Sequence, residues 1–344
     1  MNIKYGNTFR DSNTFFELCV QKTFDLIEHA QKQKNISGDC KIVVGLSGGP
    51  DSVFLLHVLN QLQKQNPQIK IIATHLDHQW RSESWRDVEF CSILCQQLGI
   101  EFVARKAEEL SLDIKYNGSA EELGRKMRRF LFEQVRQEKQ ADFIALAHHL
   151  QDQQETFFLR LLRGASLSGL RCMQEIDGPY IRPLLGINKK EIIEYLDSNQ
   201  IKYLIDPTNI SQNYLRNRIR LNVIPALELC DSRFNNKFQS TLEQLALEDD
   251  FLKLLAAKAF NDIFKQMSDL KRWQGDLKKI KLLHPVLARR VVLHWLIQEK
   301  LAFNLSTNYL DEIIRFLSSE RGGCHSVSNK WKICKKSNYF WIEF

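Results

Sequence analysis

The chain has 344 residues, 44% of them hydrophobic, and a formal net charge of +7. That length fits one to three domains, two being the best expectation, and a mean hydropathy of −0.32 describes a soluble globular chain with material for a core. No stretch approaches the roughly 18 apolar residues of a membrane span, and MNIKYGNTFRDSNTFFELCV at 1–20 lacks the apolar region and small-residue site of a secretory signal.

In chain order, an amphipathic helix is expected over 13–34. Strand 42–46 and helix 50–64 follow, then strand 70–76, a helix near 83–98 and strand 100–105. A helix near 119–138 leads to strand 142–149 and a helix at 152–163. Strand and helix alternate over short links, which predicts an α/β fold: a parallel, doubly wound, Rossmann-like sheet with helices on both faces. Right-handed crossovers line the strand C-terminal ends along one rim. After 225 the texture changes. Residues 232–300 read as helices rich in Leu, Ala and Lys, and 321–344 as a small terminal hairpin. The expected division is a helical extension over 1–40, a catalytic domain over 41–225 and a mainly helical domain with its β-hairpin over 226–344.

Residues 42–54, IVVGLSGGPDSVF, run from an apolar strand through SGGPDS into a helix. Gly48 and Gly49 let backbone approach an anion closely, and the next helix aims free N–H groups and its positive dipole end at it. Pro50 suits a first helical turn. Ser47 and Ser52 offer hydroxyls, and Asp51 is a candidate Mg²⁺ ligand bridging phosphate oxygens. The GxxxxGK[ST] loop of kinases and GTPases is absent. SGGxDS after a strand instead resembles the PP-loop of N-type ATP pyrophosphatases, which cleave ATP to AMP and pyrophosphate. A Gly-rich strand-to-helix turn is the plainer reading.

Further clusters fall on the same rim. In HLDHQWRSES (75–84), Asp77 and His78 leave the second strand toward the nucleotide, while His75 reads equally as a satisfied loop histidine. EELGRKMRRF (121–130) sets Arg125, Arg128 and Arg129 on neighbouring helical faces, either a guanidinium clamp on phosphate or a solvated basic face. AHHLQDQQET (147–156) puts Asp152 and Glu155 on one side of a helix start. They suit a cationic substrate or general-base work, or a dipole-stabilised capping pair. Arg160 and Arg163 continue that helix. In DPTNISQNYLRNRIR (206–220), Tyr214, Arg216, Arg218 and Arg220 interleave as RNA-backbone contacts do, or as surface arginines near a helix cap.

Eight cysteines are scattered without CxxC pairs, which reads as free thiols in a reducing cytoplasm. Cys91 and Cys95 are expected as neighbouring buried thiols, with half a metal site the rarer reading. Residues 226–344 carry 19 Lys/Arg against 14 Asp/Glu, a basic bias compatible with nucleic acid.

Together SGGPDS, HLDH, GRKMRR, AHHLQDQQET, RPLL (182–185) and DPTN…YLRNRIR resemble the tRNA(Ile)-lysidine synthetase family across about 41–225. Over 226–344 the likeness is only to a helical substrate-binding module. The resemblance implies that ATP adenylates the C2 oxygen of the wobble cytidine of an isoleucine tRNA with a CAU anticodon. The ε-amine of free L-lysine then displaces AMP, switching decoding from AUG to AUA and charging from Met to Ile. It implies ATP and Mg²⁺ at Ser47, Gly48, Gly49, Pro50, Asp51, Ser52, Asp77 and His78, and adenylate stabilisation by Arg125 and Arg128. Lysine falls to Asp152 and Glu155, and tRNA to Arg163, Arg182, Tyr214, Arg216, Arg218 and Arg220. A homodimer stays open. The chain departs from the family at Gln151, usually Asp, at Arg129, usually aromatic, and at Ser211, often Asp. Rival readings are a tRNA thiolase of the same loop type and a tRNA-binding protein with a retired ATP site.

Overall fold

The computed structural model describes residues 11–110, 120–205, 214–267, 272–301, 307–320, 322–328 and 331–343; residues 206–213 of the DPTN stretch, Ser211 included, lie outside them. The chain forms two compact units, 1–163 with 172–239, and 164–171 with 240–344.

The first unit is built on β1 (Cys40–Gly45), β2 (Ile69–Asp77), β3 (Glu101–Lys106) and β4 (Phe143–Ala145), alternating with α2 (Pro50–Gln65), α3 (Ser84–Leu98), α4 (Ala120–Glu138) and α5 (Leu150–Leu162). α1 (Ser12–Lys34) precedes them. The six-stranded sheet runs β3-β2-β1-β4-β6-β5. It is parallel except for β5 (Ile176–Asp177), which pairs antiparallel with β6 (Tyr180–Ile181). Strand alternation sorts the core to two faces. Ile42 and Val44 pack with the apolar residues of α1, α2 and α3, while Val43 packs with Leu131 and Val135 of α4. Strand order reverses between β1 and β4, so their C-terminal ends open the crevice where such sheets bind ligands.

Two expectations change here. The strand at 142–149 is only Phe143–Ala145, which leaves His148 and His149 in the turn ahead of α5. The unit ends at Gln239, not near Pro225, because Phe238 packs its ring against Phe157 and Phe158 of α5, with centroids 5.2 and 6.4 Å apart.

The second unit holds the five-stranded antiparallel sheet β7-β8-β11-β10-β9, from β7 (Phe264–Gln266) and β8 (Trp273–Asp276) to β9 (Gly323–Ser328), β10 (Trp331–Lys336) and β11 (Tyr339–Glu343). The expected terminal hairpin is thus three strands of a larger sheet, and the supposedly all-helical stretch supplies the other two. Trp295, Phe264 and Phe340 meet at 5.0–5.3 Å in its core. Residues 164–171 belong here because fully buried Asp249 takes hydrogen bonds from Ser168 Oγ and Arg171 Nη1, alongside Arg290 and Lys253.

The cysteine reading is also corrected. Register places Cys324 directly opposite Cys334, and the two form a disulfide. Cys91 and Cys95 are buried free thiols, as expected. No helix among the described residues is long and apolar enough to cross a membrane.

Candidate active site

SGGPDS forms the turn from β1 into α2, with Gly49 as N-cap and Pro50 in the first turn. Ser52 Oγ donates to the Gly49 carbonyl (3.0 Å) and accepts from Ser47 N–H (3.2 Å), which closes the loop on itself. Gly48 sits at φ +81°, a left-handed conformation that excludes most side chains. Its carbonyl accepts from Leu204 N–H at 2.8 Å, and a Cβ there would lie 2.7 Å from Leu204 Cδ1. Gly48→Ala should therefore cost roughly 1–2 kcal/mol in backbone strain and push Leu204 off the loop. Thermal unfolding and nucleotide affinity check this, and both unchanged would mean that the cradle needs no glycine.

Asp51 stands at the start of α2, facing Lys189 and His149. Its Oδ2 lies 2.9 Å from Lys189 Nζ and 3.5 Å from His149 Nε2. Burial alone would raise its pKa, yet His149 and Lys189 outweigh burial and hold it below the usual range. Oδ1 is buried and finds no hydrogen-bond partner among the described residues. A hard-cation ligand needs such an oxygen, so the site fits Mg²⁺. Lys189 opens α7 (Lys189–Ser198), positioned by Gln151, whose Oε1 accepts Lys189 N–H (2.9 Å) and whose Nε2 donates to Asn188 Oδ1 (3.0 Å).

α5 carries the carboxylate pair. Asp152 Oδ2 caps the helix by accepting His149 N–H (3.0 Å), and Oδ1 accepts from Arg216 Nη2 (3.2 Å). Burial would raise Asp152, but His149, His148 and Arg216 bring it down to about 2. Glu155 is fully buried and takes both neighbours, Arg216 Nε at 2.6 Å and Arg220 Nε at 2.5 Å. These arginines come from α8 (Leu215–Arg218) and the π-helical turn Ile219–Val223 after it. One chain of contacts thus joins Lys189, Asp51, His149, Asp152, Arg216, Glu155 and Arg220.

A second cluster sits at the end of β2. Buried Asp77 accepts from Gln79 N–H at 2.9 Å. His78 stacks on Trp80 at 4.5 Å, and its Nε2 accepts from Arg128 Nη1 at 3.2 Å. His75 Nδ1 donates to the Leu46 carbonyl (2.8 Å), tying β2 to the cradle, so the satisfied-histidine reading is the observed one.

Burial pushes His78 and His148 down to about 4, helped at His78 by Arg128. Between pH 4 and 6.5 the unfolded chain takes up protons that these rings refuse, so stability should rise with pH through that window, by up to about 3 kcal/mol per histidine. His149 has the opposite sign. Burial would lower it, but Asp152 and Asp51 raise it, so its contribution is complete below 6.5 and fades as pH climbs through the raised value. Urea midpoints across pH 4–8 test this, and a flat acid limb would show that the two rings protonate in the folded state.

The other expected residues lie apart from the contact chain. Arg125 is exposed on α4, and Arg129 stacks its guanidinium over Tyr180 at 5.0 Å. Arg163, Tyr214 and Arg218 are exposed. Arg182 is corrected: it is 7% exposed and donates to the Gln174 carbonyl at 2.7 Å, so it braces the β5–β6 hairpin from inside rather than facing RNA. His149, Lys189 and Leu204 escaped the sequence reading. His149 lay in the AHH motif, and Lys189 follows RPLL behind the N-cap signal Asn188.

A glycine cradle at the switch point of a parallel sheet, facing a half-buried carboxylate, defines a PP-loop nucleotide-binding domain. The sequence pattern of the PP-loop domain family matches residues 21–227, and the chain belongs to that family. Similar proteins include the tRNA(Ile)-lysidine synthase of Bacillus cereus, 32% identical over 305 residues, covering 86% of this chain and 63% of that protein. The tRNA(Ile)-lysidine synthase of Clostridium perfringens is 39% identical over 228 residues, covering 66% and 47%. The chain thus spans about half to two-thirds of the length of these curated relatives. A solved U34-tRNA thiolase from Methanococcus maripaludis aligns with a TM-score of 0.55 at 21% identity over 68% of this chain and 80% of its own, which shows a shared fold.

Proposed function

We propose that the protein is an ATP-dependent, AMP-forming ligase that joins free L-lysine to C2 of the wobble cytidine of a CAU-anticodon isoleucine tRNA. The observation that carries this reading is the juxtaposition of an anion cradle with a carboxylate pair already holding cationic side chains. The cradle and Asp51 would take the phosphates, where a bound Mg²⁺ would neutralise charge. ATP then adenylates the cytidine O2, releasing pyrophosphate. The lysine ε-amine attacks C2, and AMP leaves with that oxygen. An amine of pKa near 10.4 must lose a proton to react, and one of the pair Asp152 and Glu155 would help remove it. Arg128 beside His78, with Arg125 outside it, is the candidate clamp on the adenylate. Tyr214, Arg218 and Arg163 offer exposed contacts for tRNA. The cytoplasm as site of action belongs to the same proposal, as does a homodimer, to be read by light scattering.

Thiolation is the less favoured chemistry. A sulfur relay needs paired reactive thiolates; burial pushes Cys19, Cys40 and Cys95 up to about 12 and Cys172 to about 11, and the exposed free thiol Cys230 has no CxxC partner.

The test is incubation with ATP, Mg²⁺, radiolabelled lysine and a CAU-anticodon transcript. Label retained in RNA, dependent on ATP and lost when the wobble cytidine is changed, is the expected result. ATP split to AMP without label would leave the PP-loop reading standing and refute lysine as the nucleophile.

A further inference from the structure

The carboxylates assigned to the substrate amine are not open. Arg216 spans Asp152 and Glu155 at 3.2 and 2.6 Å, and Arg220 reaches the other oxygen of Glu155 at 2.5 Å. Glu155 is fully buried, so a free ammonium can reach it only by replacing a guanidinium. Charge makes the same point. Asp51, Asp152 and Glu155 face Lys189, Arg216 and Arg220, so the contact chain balances internally when His149 is neutral. A further cation entering alone would leave a partly desolvated positive excess, which is costly. A polyanion entering first reverses the balance and offers the arginines better partners, since guanidinium and phosphate pair bidentately.

The backbone allows such a move. Arg220 lies in the π-helical turn Ile219–Val223, outside regular α-helical hydrogen bonding, and its side chain is 35% exposed. π-helical turns recur at functional sites.

We infer that Arg216 and Arg220 occupy the amine subsite as built-in stand-ins for the substrate ammonium, and that phosphate must draw them off Asp152 and Glu155 before a free amine binds. The inference rests on the proposed ligation reading and adds an order of binding to it: polyanion first, amine second. It makes the arginines selectors of when the amine enters. Lysine is kept out until there is an activated oxygen to displace, or a phosphate-bearing partner about to supply one.

Equilibrium dialysis of radiolabelled lysine tests this with the intact protein. The arms are protein alone, protein with Mg²⁺ and a non-hydrolysable ATP analogue, protein with an anticodon stem-loop RNA, and protein with both. Lysine affinity should rise at least about tenfold in one or more phosphate arms, within the usual range of coupling between sites. The arm that produces the rise identifies the source, nucleotide or RNA. In Arg220→Met, lysine should bind without phosphate, and the dependence should shrink to less than about threefold. Should that variant fold poorly, the wild-type arginine Nε–H resonances give a second reading. The two resonances paired with Glu155, from Arg216 and Arg220, should shift when the phosphate ligand is added and stay shifted with lysine bound. Equal lysine affinity in all arms, or an unmoved resonance in the fully liganded protein, would overturn the inference alone. Lysine bound in no arm would remove the ligation reading and the inference with it.

Discussion

Asp51→Asn should abolish ATP-dependent turnover, lowering the rate of pyrophosphate release by about 10²–10³-fold or more, the loss seen when one preorganised electrostatic contact to the reacting centre is removed. The substitution keeps the shape of the side chain but removes its charge. Lys189 and His149 then face an amide instead of a carboxylate, and the orphan Oδ1 loses its value as a hard-cation ligand. Because Asp51 is only half-buried, the fold should survive, and an unchanged thermal midpoint would confirm that activity is lost at the site. Pyrophosphate release at saturating ATP within about threefold of wild type would show that the cradle works without this carboxylate.

Glu155→Ala should destabilise the first unit by about 3–5 kcal/mol, the cost of removing one partner from a buried ion pair. Two guanidiniums lose their acceptor together, and the fully buried carboxylate leaves a cavity. Glu155→Gln keeps the volume and one acceptor oxygen, so it should fall between wild type and Ala in stability. Both should lose lysine transfer. Urea unfolding of the two variants measures the difference, and a loss below about 1 kcal/mol for Ala would mean that water already reaches the pair.

What the sequence discloses follows the range of the physics involved. The cradle is a local object: strand, glycines, proline and aspartate are consecutive, so SGGPDS specified its own geometry. The first sheet was legible because its strands are apolar on both faces and its helices come between them. Contacts between distant residues were not legible. Arg216 meets Glu155 across 61 residues, and Lys189 meets Asp51 across 138, so arginines that read as RNA contacts proved to be counter-ions of the carboxylates. Short strands escaped for another reason. β5 and β6 are two residues each, too brief to show alternation, and β7 directly follows helix α10 (Phe234–Ile263). The Cys324–Cys334 disulfide depends on strand register, which composition does not reveal.

The amide at 151 couples two positions on a neighbouring helix. Gln151 presents a donor to Asn188 Oδ1 and an acceptor to Lys189 N–H, whereas a carboxylate there has acceptors only and would set oxygen against oxygen. Asn188 cannot turn its amide to compensate, because the same Oδ1 caps α7 by accepting Lys190 N–H at 2.9 Å. A lineage carrying aspartate at 151 therefore has to solve the start of this helix differently. Residue 188 and its successor, the lysine that meets Asp51, are thus held in place by a side chain on another helix, and the chemistry at 151 decides how this corner is wired.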